Sequence, residues 1–172
     1  MNKRDTKQQK SLLIPILIIL SALLLGTLIG IFVVIPAMKP NPPKTSWIEP
    51  TQGELWLQGQ ALYQQHCASC HGSNLEGQTN WRQRKADGKL PAPPHDESGH
   101  TWHHPDAELI AITRDGMVPG VTAPEGYQSD MPGFGKILSD AEIELILGYI
   151  KSFWSDRALQ AQKEVTLQLI QR

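Results

Sequence analysis

Five consecutive residues, Cys67-Ala68-Ser69-Cys70-His71, constrain this chain of 172 residues more than any other part of it. They spell C-x-x-C-H, the attachment signature of a c-type haem. Each thiol can add to one haem vinyl group as a thioether. The two intervening residues set the sulfurs about one helical turn apart. The histidine follows at once, so its imidazole is held beneath the iron as proximal ligand. A chain with this motif has to fold around a rigid planar group far larger than any side chain.

Other uses of two cysteines fit less well. A structural zinc site wants a second pair of ligating cysteines, and Cys67 and Cys70 are the only two in the chain. A thioredoxin-like redox pair belongs in a strand-helix-strand setting, and no strand-like run flanks the motif. A disulfide spanning two residues is strained.

The N-terminal part obeys a different solvent. Residues 11–38 contain no charged side chain and are almost wholly aliphatic. About 20 apolar residues cross a bilayer core, so this run is read as a transmembrane anchor. A cleavable signal peptide would have an apolar region of about 7–15 residues, and the Ile35-Pro36-Ala37 site is a poor cleavage sequence. Lys3, Arg4, Lys7 and Lys10 precede the run with only Asp5 against them, which keeps residues 1–10 in the cytoplasm. Everything after Met38 is then expected outside the cytoplasmic membrane, on the periplasmic side. Haem is joined to cysteines in that same compartment. Gly26 and Gly30 form a G-x-x-x-G inside the span, a pattern that lets a partner membrane helix approach closely.

Residues 39–50 read as a proline-rich linker, extended and semi-rigid. Beyond Pro40 there are 11 Lys and Arg against 16 Asp and Glu, a net charge of −5. That balance argues against a nucleic-acid partner and suits redox proteins with a basic docking patch. The outer domain, 51–156, reads as helices joined by long loops. Thr51 and Glu54 make a capping box ahead of Leu55, Gly59, Leu62, Tyr63 and His66 at helical spacing. Pro105 opens a second helix, which Gly116 ends. Ser139 and Glu142 cap a third, with Ile143, Ile146, Leu147, Ile150, Phe153 and Trp154 as its apolar stripe. Residues 157–172 form a helix-prone, more polar tail that prolongs the third helix or follows it. The long Gly- and Pro-rich stretch between Gly72 and His104 is reasonable for a compact domain only if it wraps the haem.

These motifs, in this order, resemble a class I c-type cytochrome in a bacterial, membrane-anchored, monohaem form. Gly59-Gln-Ala-Leu-Tyr63 stands before Cys67 as in that family's first helix. Cys67-Ala-Ser-Cys70-His71-Gly72 matches its haem motif. Ser129-Asp-Met131-Pro132-Gly-Phe134-Gly is similar to its distal-methionine loop, and Gly148-Tyr149-Ile150-Lys151-Ser-Phe-Trp154 to its last helix. The resemblance covers about residues 59–154. It implies an all-α cytochrome c fold of three main helices around one covalent haem c, with the first and last helices crossing closely at Gly59 and Tyr149. It also implies a proline carbonyl on the second ring nitrogen of His71, a role for which Pro91, Pro93 and Pro94 compete. Residues 75–95 are longer than in the smallest members.

The sixth ligand decides the function. A second protein ligand closes the iron and suits it to electron transfer. Met131, stiffened by Pro132, is the expected partner of His71. Met117 and the histidines His66, His95, His100, His103 and His104 are the alternatives. The run from His95 to His104 also has the residue types for a second copper or zinc site, against the plainer reading that it lines the cleft. Trp102 is a candidate donor to a haem propionate. Arg82, Arg84, Lys85 and Lys89 form the one basic cluster and are expected mainly in solvent. No nucleophile arrangement is present. The chain is thus read as a one-electron carrier and not an enzyme. The alternatives are a haem enzyme or gas sensor with an open distal site, and a fixed electron-inlet subunit of an oxidase or dehydrogenase. If the anchor is retained, mass spectrometry of the mature protein will find Met1 or Asn2 at its start; a chain beginning near Met38 would make it a soluble carrier.

Overall fold

The computed structural model describes residues 47–170. The anchor expected at 11–38 lies outside the described residues. Among those described, no helix is long and apolar enough to cross a membrane. They form five α-helices: α1 (Gly53–His66), α2 (Ala68–His71), α3 (Asp106–Asp115), α4 (Asp140–Lys151) and α5 (Asp156–Ile170). A 3₁₀ turn, Thr101–His103, precedes α3. An isolated bridge between Pro119 and Ala123 is the extended pairing among these residues. The all-helical class expected from the sequence therefore fits.

The crossing of α1 and α4 organises the rest. A Cβ built on Gly59 would lie 2.9 Å from Cβ of Tyr149 and closer still to the carbonyl oxygen of Leu145. Only a residue without a side chain permits that approach. Around this point Tyr149 packs on Trp56 at 5.2 Å and on Tyr63 at 5.4 Å between ring centroids. Tyr63, Ile143, Ile146, Leu147, Tyr149 and Ile150 are all buried. Leu55, expected on the packed face of α1, is instead exposed. The contact is narrow, and its buried residues on α1 are Gly59 and Tyr63. Phe153 also stays half exposed, because α4 ends at Lys151 and Phe153 falls in the turn beyond it.

The caps divide. Ser139 and Glu142 close the expected capping box on α4. The expected box at Thr51 does not form. Gln52 is the N-cap of α1 and makes no side-chain capping bond. The Thr51 amide donates to Gly148 O at 3.0 Å, and its hydroxyl is buried without a partner. Tertiary contact with α4 has overridden the local cap. Pro105 and Gly116 flank α3 as expected.

The C-terminal helix does not prolong α4. The chain turns at 152–155, where Trp154 is buried and its indole Nε1 donates to His95 O at 2.8 Å. α5 then buries Ala158, Gln162 and Thr166, one residue per turn. The buried Lys151 ties this helix down. Its ammonium donates to an Asp106 carboxylate oxygen at 2.9 Å, to Gln162 Oε1 at 2.9 Å and to Ile48 O at 2.9 Å. Trp47 Nε1 also donates to Gln162 Oε1, and Thr166 Oγ1 accepts from the Asp106 amide. One polar node thus joins the start of the described chain, α3, α4 and α5.

A buried ion pair resists loss of one partner far more than loss of both. Lys151→Ala leaves Asp106 unpaired and is expected to cost about 3–5 kcal/mol in denaturant unfolding. Burial pushes the Lys151 ammonium down to about 8, against the opposing pull of Asp106. The folded state then binds fewer protons than the unfolded chain between about pH 8 and 10.5. Through that window this group raises stability as pH rises. Comparing wild type with Lys151→Met across the same range measures the contribution, which the variant should lack.

Candidate haem-binding site

α1 runs into the Cys-x-x-Cys-His motif with a break of one residue. Cys67 is at once the C-cap of α1 and the N-cap of α2. Its amide donates to Tyr63 O at 2.8 Å, and the His71 amide donates to Cys67 O at 2.9 Å. Gly72, in the left-handed region at φ 83°, stops α2. From the core, the Tyr63 hydroxyl reaches across and donates to Gly72 O at 2.9 Å. The motif is therefore pinned at both ends by the same tyrosine that packs under α4.

Both cysteines are free thiols. Burial, with Cys70 adding to it, pushes the Cys67 thiol up to about 12. A thiol held protonated in this way is a poor redox nucleophile, which weakens the thioredoxin-like reading. His71 is buried, and its Nδ1 lies 2.8 Å from Pro93 O. Facing a carbonyl, Nδ1 carries the proton and donates, so the lone pair sits on Nε2. Burial lowers the His71 pKa, partly opposed by the Pro93 bond. The ring is neutral, as a metal ligand has to be. Of the three competing prolines, Pro93 is the one that holds His71.

The long stretch after Gly72 folds back on the motif. Gly77 donates to His71 O at 2.7 Å, and His95 donates to Leu75 O at 2.8 Å. Leu75, fully buried, anchors the loop. His95 stacks on His71, with centroids 4.0 Å apart and planes inclined by 23°. Desolvation first, then His71 and His100, hold the His95 pKa well below the usual histidine value. His100 stacks on Trp81, His103 meets Trp102, and His104 bonds Glu108 at 3.0 Å. His100 and His104 meet edge to face at 5.4 Å, while His95 and His103 turn to other partners. Among the described residues no group of three His, Cys, Asp or Glu converges to hold a metal.

Met131 lies in a loop laid along the end of α3. Phe134 donates to Thr113 O at 3.0 Å and Gly135 to Arg114 O at 2.8 Å. A Cβ on Gly133 would come within 2.7 Å of the Asp115 carbonyl carbon, so glycine sets how closely this loop can lie. Phe134 reaches the ring of His66 at 6.1 Å, bringing the loop to the residue just before Cys67. Met131 is partly buried, as is Met117, whose neighbour Gly116 packs on the same loop. The basic cluster is not simply solvated. Lys85 and Lys89 both pair with Asp130, beside Met131, and Arg84 lies over the ring of Tyr127.

A haem fits these residues. Two unpaired thiols precede a buried histidine whose Nδ1 is already engaged and whose Nε2 is left for a metal. Trp102 Nε1 is buried with no protein partner, an orphan donor of the sort a propionate oxygen would satisfy. No curated protein matches the chain. The family model for cytochrome c matches residues 57–154, which run from α1 through the motif and the Met131 loop to the end of α4. The chain therefore belongs to the cytochrome c family, whose membership implies covalently bound haem c and haem-based electron transfer.

Proposed function

We propose that this protein is a bacterial membrane-anchored monohaem cytochrome c. In this reading it passes single electrons from respiratory-chain or dehydrogenase donors to an oxidase or other acceptor outside the cytoplasmic membrane. The observation that carries the reading is His71, buried, neutral and tied through Nδ1 to Pro93 O at 2.8 Å, in register with two free thiols. The haem, when bound, supplies one iron that gains and loses a single electron.

The chain's own residues do the rest. Cys67 and Cys70, both free thiols, would hold the haem covalently through its two vinyl groups. His71 presents Nε2, and the Pro93 carbonyl strengthens it as a donor by polarising Nδ1–H. Met131 would be the second protein ligand, offered from a loop fastened to α3 and to the basic cluster. A methionine thioether favours reduced iron and raises the potential relative to a second histidine, which suits the oxidising end of a chain. Trp102, whose buried Nε1 has no protein partner, would donate to a propionate. The membrane reading rests on the uncharged run at 11–38 and the basic residues before it; the lipid bilayer and, through Gly26 and Gly30, a second membrane helix are its partners there.

Covalent attachment predicts that haem stays with the chain through denaturing electrophoresis and stains for peroxidase activity. Cys67→Ala or Cys70→Ala leaves one thioether and shifts the pyridine haemochrome spectrum. Release of all haem from the unfolded wild type would contradict the attachment.

Ligation by Met131 predicts a weak far-red band in the oxidised protein and resistance of the reduced protein to carbon monoxide. Met131→Ala should abolish the band, lower the potential and admit carbon monoxide. If the wild type binds carbon monoxide readily, the open-site enzyme or sensor takes precedence over the carrier. If the band survives Met131→Ala, Met117 is the ligand.

A further inference from the structure

The segment that holds His71 does so twice. Pro93 engages Nδ1 through its backbone carbonyl. Two residues later, His95 lays its own imidazole face to face on that of His71, at 4.0 Å and 23°. The first contact fixes where Nδ1 points. The second bears on the plane of the ring, which a single hydrogen bond leaves partly free to rock.

His95 is itself held from several sides. Its Nδ1 lies 2.9 Å from Thr101 Oγ1, and Thr101 is buried. The edge of Tyr63 meets it at 6.3 Å and 75°. Its backbone is fixed without the side chain: the amide donates to Leu75 O at 2.8 Å, and the carbonyl accepts from Trp154 Nε1 at 2.8 Å. The imidazole is therefore not needed to keep Pro93 in place. A leucine would fill the same space without shedding the water that an imidazole holds.

We infer that His95 is a positioning residue for the proximal ligand, setting the rotation of the His71 plane and placing a negative ring face against it. The inference rests on the reading of His71 as the proximal iron ligand. Orientation of an axial imidazole governs how the unpaired electron of ferric low-spin iron spreads over the haem. The π face of a neutral aromatic ring attracts positive charge, and the ligand carries more positive charge when iron is oxidised. Stacking thus favours the oxidised state, and its removal favours the reduced one.

The experiment compares full-length, haem-loaded wild type with His95→Leu, His95→Phe and Thr101→Val. Leucine fills the space but has no π face; phenylalanine keeps the face and loses the Thr101 bond; valine frees the His95 ring from its tether. Electron paramagnetic resonance g values and the spread of haem methyl proton shifts report the ligand plane. Redox titration reports the balance. His95→Leu should change the g values and methyl spread. It should also raise the ratio of reduced to oxidised protein at a fixed ambient potential several-fold, up to about tenfold if the full worth of a stacked pair is lost. Thr101→Val should shift both readouts the same way by less. His95→Phe should restore them towards wild type. Unchanged g values and potential in His95→Leu would overturn the inference. So would a His95→Phe protein matching His95→Leu. Failure of the ligand assignment looks different: the wild type itself would lack the low-spin signature of a histidine-ligated ferric haem.

Discussion

The close crossing at Gly59 is the constraint from which the site follows. Because α1 lies almost against the backbone of α4, Tyr63 is buried beneath it and its hydroxyl reaches Gly72. Cys67 and His71 follow Tyr63 by one and two turns. Their placement starts from that helix contact, and the long loop then holds His71 through Pro93 and Gly77. Widening that crossing by one methyl group would move the haem motif relative to everything that packs on it. In cores of native density such shifts are felt at a distance.

The Met131 loop is built on the opposite principle. Met131 sits in a segment without regular structure, held by two backbone bonds to α3, by the small residue Gly133, and by the pairing of Asp130 with Lys85 and Lys89. The ion pairs are exposed and individually weak. His71 is therefore held by core and backbone, the Met131 loop by contacts nearer to water. This asymmetry places any looseness in the Met131 loop.

Much of this was legible in the residues themselves. The motif at Cys67–His71 and the Ser139–Glu142 cap are local patterns, the Gly59–Tyr149 contact was implied by the family resemblance, and the structure contains both the cap and the contact. Thr51 misled because a capping box is a local signal, while its amide and hydroxyl answer to Gly148 and the core. Pro91, Pro93 and Pro94 were indistinguishable because only the folded loop decides which carbonyl meets His71. The four histidines from His95 to His104 resembled a metal site because composition carries no direction. Lys151 gave no signal at all: in sequence it is the ordinary cation at the end of a helix, and its partners Asp106 and Gln162 are 45 and 11 residues away.

That lysine has a mechanical meaning as well as a thermodynamic one. Any load applied to the chain ahead of Trp47 reaches the domain first at Trp47 and Ile48. Both are bonded into the node of Lys151, Asp106 and Gln162. The force passes into α3, α4 and α5 before it can reach α1 and Cys67. The node is a strain relief: a pull at Trp47 would load it ahead of the histidine, its proline and the stacked ring.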